Sequence, residues 1–213
     1  MRSIAIRFED CATFVLEHMD TPTLLRLATT LVLALENDPF YRALTPGVTQ
    51  EFDRRPLLHD YFAHSLRGCV ARESVTRCVH SEDGRSGVAL WMLPDARQTP
   101  DGKADFVRDR LGSPSSIAYE SMLRVMGEKA QTLVPPNAWY LSIIGVEPRM
   151  QGQGIGRKLL EPTLAEAAAC AAPCYLETFS EQALMFYRQL GFEMIGSQFE
   201  PTAQARYWLM LKA

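Results

Sequence analysis

The chain has 213 residues, 47% of them hydrophobic and 22% charged, with a formal net charge of −3. That length and balance suit one globular domain, residues 1–213, with a sizeable core. A slightly acidic chain gives no electrostatic case for nucleic acid as a partner. The five cysteines, Cys11, Cys69, Cys78, Cys170 and Cys174, are odd in number and form no C-x-x-C pair. Neither zinc nor thioredoxin-like chemistry has support, no metal is expected, and a reduced, cytoplasmic chain is the expectation.

Residues 3–8 read as a short strand. Glu9, Asp10 and Glu17 interrupt the first twenty residues, so no signal-peptide core is expected there. A helix is predicted from Thr21, with Thr21 as cap, Pro22 at its first position, and Leu24, Leu27, Leu31 and Leu35 at helical spacing. It includes the longest apolar run, "LATTLVLAL" (27–35), which is too short to span a bilayer. Pro39 in "ENDPF" ends the pattern. A second helix is predicted over 50–67, carrying Phe52, Leu58, Phe62 and Leu66. "GCVARESVTRCVHSEDGRSGVALWML" then reads as strand, "EDGRSG" turn and strand. The polar stretch 94–114 reads as a loop with a short helix inside it. Ser115 or Ser116 caps a predicted helix to about residue 131, and "PPN" stops it.

A strand at 138–146 follows, then "RMQGQGIGRK" and a helix from about 154 to 171. Its apolar stripe comprises Ile155, Leu159, Leu160, Thr163, Leu164, Ala167, Ala168 and Ala171, with Pro162 inside as an expected kink. A strand at 174–179, a short helix at 181–190 ended by Gly191, and two strands in "FEMIGSQ" and "RYWLMLK" complete the chain.

Strand, glycine turn and helix N-terminus together favour an anion, because unpaired amides and the helix dipole converge there. Arg149, Arg157 and Lys158 add full positive charge. The Walker pattern fails, since Gly156 is followed by Arg157-Lys158-Leu159 with no hydroxyl for magnesium. The dinucleotide fingerprint fails too, because Arg157 stands where its third glycine belongs. What fits is Gln151-x-x-Gly154-x-Gly156.

That pattern resembles the pyrophosphate loop of the GNAT superfamily of N-acetyltransferases. The order of "IIGV", the loop, a helix, a strand with "YLET" and "FYRQLGF" strengthens the likeness, which is closest to puromycin N-acetyltransferase-like members. The resemblance implies an α/β (α+β) fold, with a mixed, twisted central sheet, splayed parallel strands and helices on both faces. It implies acetyl-CoA as acyl donor, with pantetheine paired to the strand at Ile143, Ile144, Gly145 and Val146. Gly145 suits a bulge at that splay. The pyrophosphate would lie on Gln151, Gly152, Gln153, Gly154, Ile155 and Gly156, near Arg157 and Lys158, with Phe186 and Tyr187 beside the cofactor.

Tyr187 sits where family members carry a tyrosine that protonates the departing thiolate; the same ring would also serve as core beside Phe186 and Phe192. Members often have asparagine four residues earlier, where this chain has Ala183. Some relatives place a glutamate at the start of the pantetheine strand, but here the sequence reads Asn137-Ala138-Trp139. Glu177 is then the best carboxylate for a general base, with an ordered water as the alternative. His59 and His64 lack partners at metal spacing. Phe40, Tyr41, Trp91, Trp139 and Tyr140 are candidates for either an acceptor pocket or the core. The expected activity is acetyl transfer to the primary amine of a small molecule, by a monomer or homodimer without membrane or nucleic-acid partners. A non-catalytic acyl-CoA sensor and a protein (lysine or N-terminal) acetyltransferase are the alternatives.

Overall fold

The computed structural model describes residues 19–48, 50–72, 74–98 and 102–213. The strand expected at 3–8, and Cys11, lie outside them. The first helix, α1 (Thr21–Leu35), is capped by Asp20, whose Oδ1 accepts from the Thr23 amide at 2.9 Å. Thr21 is therefore inside the helix, one position after the cap: the aspartate carboxylate is available one residue earlier. Pro39 does not simply end the helical pattern. It opens α2 (Pro39–Leu44), a turn and a half capped by Asp38, because proline's fixed φ suits a helix's first position. Helix α3 runs Glu51–Val70, three residues beyond the predicted end.

Strands β1 (Thr76–His80) and β2 (Gly87–Met92) form the expected hairpin. A 3-10 turn at Pro94–Gln98, α4 (Lys103–Phe106) and a π turn at Val107–Leu111 fill the polar stretch. Helix α5 (Ser113–Leu133) starts before the two serines expected to cap it. Gly112 at φ +92° makes the turn and Pro114 presets the first turn, so Ser115 and Ser116 lie buried within the helix. Then come β3 (Trp139–Val146), α6 (Ile155–Ala169), β4 (Cys174–Thr178), α7 (Ala183–Gln189), β5 (Glu193–Glu200) and β6 (Ala205–Lys212). Helix α6 runs unbroken through Pro162. The carbonyl that proline leaves unserved is that of Lys158, an exposed residue on the solvent side.

Among the described residues six strands form one sheet in the order β1-β2-β3-β4-β6-β5. Only β3 and β4 are parallel; the other pairs are antiparallel. On one face α1 and α3 bury Leu27, Leu31, Leu58, Phe62 and Leu66 against Val88, Leu90 and Ile143, and α5 covers Tyr175, Tyr207 and Leu209 beside them. On the other face α6 and α7 bury Leu159, Leu160, Leu164 and Tyr187 against Ala89, Trp91, Leu141 and Leu176. The fold is therefore the mixed, two-face-covered sheet that the resemblance implied.

The bulge in β3 is at Ser142, not at Gly145. Leu90 pairs with Ile143 and Trp91 with Leu141, so Ser142 is the extra residue. Its effect is visible in the side chains: Leu141 faces α6, whereas Ile143, two residues on, faces α1. A regular strand would put both on one side. Gly145 pairs normally with Val88 and serves packing instead, since a Cβ there would stand 2.7 Å from Leu31 Cδ2 and 3.1 Å from Ala34 Cβ.

Candidate active site

The β3–β4 pairing runs only from Trp139↔Cys174 to Leu141↔Leu176. Beyond it β3 continues to Val146 along β2, while Glu177 and Thr178 continue along β6. Two adjacent parallel strands thus separate at the bulge. The edge of β3 from Ser142 onward faces β4 without a strand partner, and its backbone groups need one.

The loop after β3 leads to the start of α6. Gly152 and Gly154 adopt φ of +76° and +79°, and a Cβ at either would meet nothing within 4 Å. Their need for glycine is therefore conformational rather than steric. Gly156 differs, because a Cβ there would approach Phe186 Cζ to 3.2 Å; it lets α6 close on α7. The N-cap residue of α6, Gly154, makes no side-chain cap, and the first amides of a helix have no intrahelical acceptor. Gln151 donates its side-chain amide to the Val146 carbonyl at 3.1 Å, tying the loop back to β3, and Gln153 does the same toward Arg149 at 3.5 Å. Arg157 reaches the Gln189 carbonyl at 3.4 Å and Glu161 at 3.7 Å, while Lys158 is exposed.

Where the strands part lies a cavity of about 400 Å³. Ser142, Ile143 and Ile144 of β3, Leu176 to Thr178 of β4 with Phe179 just after it, and Tyr187 of α7 line it, and its far wall comes from α1, α2, α3 and α5. Tyr187 is buried, its ring 5.1 Å from Phe186 and 6.0 Å from Phe192. Burial, then the charge of Asp38, pushes its phenol above the ordinary range, so it keeps its proton at neutral pH.

Glu177 also points into this cavity. Its Oε2 accepts from the Tyr140 hydroxyl at 3.0 Å, whereas Oε1 is buried without a hydrogen-bond partner. Burial raises its carboxyl to about 7, against the opposing hydrogen bond from Tyr140. Tyr140 stacks on Tyr175 with ring centroids 4.6 Å apart. The cavity thus brings together Ile143, Ile144, Glu177 and Tyr187 from the sequence reading; Gly145 and Val146 lie farther along the same strand.

Of the aromatic candidates, Phe40, Tyr41 and Tyr140 line the cavity, while Trp91 and Trp139 belong to the core beneath α6. His59 bonds the Leu25 carbonyl at 3.2 Å and His64 stacks on Phe106; no group of three metal-binding side chains occurs among the described residues. Sequence reasoning passed over Asp38, Tyr61, Lys103 and Tyr119, all on the cavity wall. Asp38 caps α2 through the Phe40 amide at 2.9 Å, and burial raises its carboxyl to about 6. An Asp-Pro pair marks a helix start, so the cap was legible, but its place beside Tyr187 required the tertiary fold. Among the described residues no helix is long and apolar enough to cross a membrane.

Residues 117–194, the segment from α5 through β3 and α6 to the start of β5, match the family model described as "Acetyltransferase (GNAT) domain". The N-alpha-acetyltransferase RimI of Mycobacterium tuberculosis is 39% identical over 62 residues, 29% of this chain and 39% of that protein. The chain thus spans well under two thirds of that relative's length. An uncharacterized N-acetyltransferase, C550.08, of Schizosaccharomyces pombe is 27% identical over 183 residues, 78% of this chain and 69% of that one. Among solved structures, a Corynebacterium glutamicum protein described as histone acetyltransferase HPA2 and related acetyltransferase superposes with a TM-score of 0.63. It covers 94% of each chain at 22% identity, a likeness of fold. Residues 117–194 are thus similar to a GNAT acetyltransferase domain, and the fold around them is similar to that of a solved acetyltransferase.

Proposed function

We propose that the domain moves an acetyl group from acetyl-CoA to the primary amine of a small molecule, with Tyr187 as general acid and Glu177 as general base. The observation that carries this reading is one cavity, at the parting of β3 and β4, lined by a protonated phenol and by a carboxylate that has a free buried oxygen. The unpaired β3 edge at Ser142 to Val146 suits the amides of a pantetheine chain. The uncapped start of α6, with Gln151 to Gly156, Arg157 and Lys158 around it, suits a pyrophosphate. Acetyl-CoA supplies the activated acyl group.

The chain's residues supply the proton chemistry. An amine reaches the site as an ammonium and must lose a proton before it attacks. Glu177 Oε1 accepts that proton, and with a carboxyl near 7 it is matched to work at neutral pH. Tyr187 gives its proton to the sulfur as the C–S bond breaks, so thiolate never has to leave unprotonated. The enclosed wall built by α1 to α3 and α5 supports a small acceptor over a protein chain.

Tyr187→Phe tests the reading, because it keeps the ring and removes only the proton. Acetyl-CoA affinity by calorimetry should be unchanged. Turnover should fall by roughly 10²–10⁴, in kcat more than in KM. A variant that turns over at the wild-type single-turnover rate would remove Tyr187 from the chemistry.

A further inference from the structure

The wall of the cavity away from β3 and β4 is unusually rich in rings. Phe40, Tyr41, Tyr61 and Tyr119 all contribute to it, while Tyr140 of β3 and Tyr175 of β4 line the sheet side. The first four brace one another edge to face: Phe40 with Tyr41 at 5.3 Å and with Tyr119 at 6.3 Å, Tyr61 with Tyr41 at 6.0 Å and with Tyr119 at 6.4 Å. Leu35, Leu123 and Met126 close the remainder. Such a wall holds a flat apolar body by ring-to-ring and dispersion contacts, and offers little to a solvated chain.

Two carboxyl groups enter this apolar box. Glu177 lies at the strand end with Oε1 buried and unpartnered, and a buried acceptor without a donor is costly unless a ligand supplies one. Asp38 enters from the start of α2, near enough to Tyr187 for its charge to disfavour the phenolate. Glu177 lies on β4 at the strand parting, and Asp38 lines the same cavity from the start of α2. Lys103 faces the same cavity, its Nζ 5.7 Å from the centre of the Tyr61 ring, and its charge opposes a second cationic group in the ligand.

We infer that the acceptor is an arylalkylamine: one ammonium on a short alkyl chain, held by Glu177 and Asp38 at the strand parting, with its aromatic ring among Phe40, Tyr61 and Tyr119. This deepens the acetyl-transfer reading and rests on it. A linear diamine fits less well, because its second cation would enter an apolar box already holding Lys103. An amino acid fits less well too, because its carboxylate would sit beside Asp38 and Glu177. When bound, the ammonium donates to Glu177 Oε1 and then loses that proton to Glu177; the neutral amine nitrogen forms the new C–N bond as the C–S bond breaks, Tyr187 protonates the departing sulfur, and the second nitrogen proton restores the Tyr187 phenol.

The experiment compares acceptors and then perturbs Asp38. Free-thiol release from acetyl-CoA is followed with tyramine, phenethylamine, putrescine, phenylalanine and a short peptide with a free N-terminus. Tyramine and phenethylamine should show kcat/KM at least tenfold above the other three. Asp38→Asn, which retains a side-chain oxygen for the α2 cap, should weaken tyramine binding about tenfold in calorimetry with coenzyme A present. Its affinity for acetyl-CoA should be unchanged, which also reports that it is folded. Preference for putrescine, phenylalanine or the peptide would overturn the arylalkylamine assignment while leaving acetyl transfer intact. Tyramine affinity equal to wild type in Asp38→Asn would overturn the role of Asp38. Release of thiol with none of the five amines, by a chain that binds acetyl-CoA, would instead overturn the underlying transfer reading.

Discussion

Glu177 carries the clearest consequence at the scale of single residues. Its carboxyl is raised to about 7 by burial, and the base form is the ionised one. Activity should therefore be low below pH 6 and rise with pH through about 7, the limb of a base that must lose its proton first. Glu177→Gln should remove this limb and lower kcat about a hundredfold. The Tyr140 hydroxyl stabilises the ionised carboxylate, so Tyr140→Phe should move the limb to higher pH. A limb that stays in place in Glu177→Gln would assign the titration to another group. Tyr187 and Glu177, singled out in the sequence through "FYRQLGF" and "YLETF", both line the cavity. The direction of Glu177 was not legible there: period-2 alternation leaves two faces open until the register with β6, Glu177 opposite Leu209, is known. Asp38 was legible only as a helix signal, since its neighbours in the cavity come from α3, α5 and β4, distant in sequence.

Among the elements, β3 decides the site. The bulge at Ser142 reverses which face each later residue meets, and it coincides with the end of pairing to β4. A glycine in a run of branched residues drew the sequence reading to Gly145, because glycine is the usual marker of an irregular strand. The irregularity instead falls on a serine, which carries no such marker. Gly145 is there for α1, whose Leu31 lies where a side chain would go. Gly145→Ala should thus destabilise the chain by about 1–3 kcal/mol through overpacking, measured by denaturant unfolding. Stability equal to wild type would show that α1 shifts without cost. Among the loop glycines, Gly156 lets α6 approach Phe186, and Gly152 and Gly154 hold positive φ. Helix α2 escaped notice because six residues are too few to show a period, and Pro39 was taken as an end rather than a beginning.

At the scale of the whole molecule, a sheet covered by α1, α3 and α5 on one face and by α6 and α7 on the other has a seam where two neighbouring parallel strands part. The seam runs from the parting of β3 and β4 to the open start of α6, and the proposed account seats acetyl-CoA along its length. The long amphipathic helices and the apolar strands were legible from periodicity. The seam was legible only through the resemblance, which implied splayed parallel strands; periodicity does not reveal a missing pairing. Amide hydrogen exchange of the intact chain, with and without saturating acetyl-CoA, tests this seating most directly. Exchange should slow at Ser142 to Val146, as pantetheine takes up the free strand edge, and at Gly152 to Gly156, as the pyrophosphate takes up the open amides. Saturable binding of acetyl-CoA that leaves both segments exchanging at their unliganded rates would contradict it.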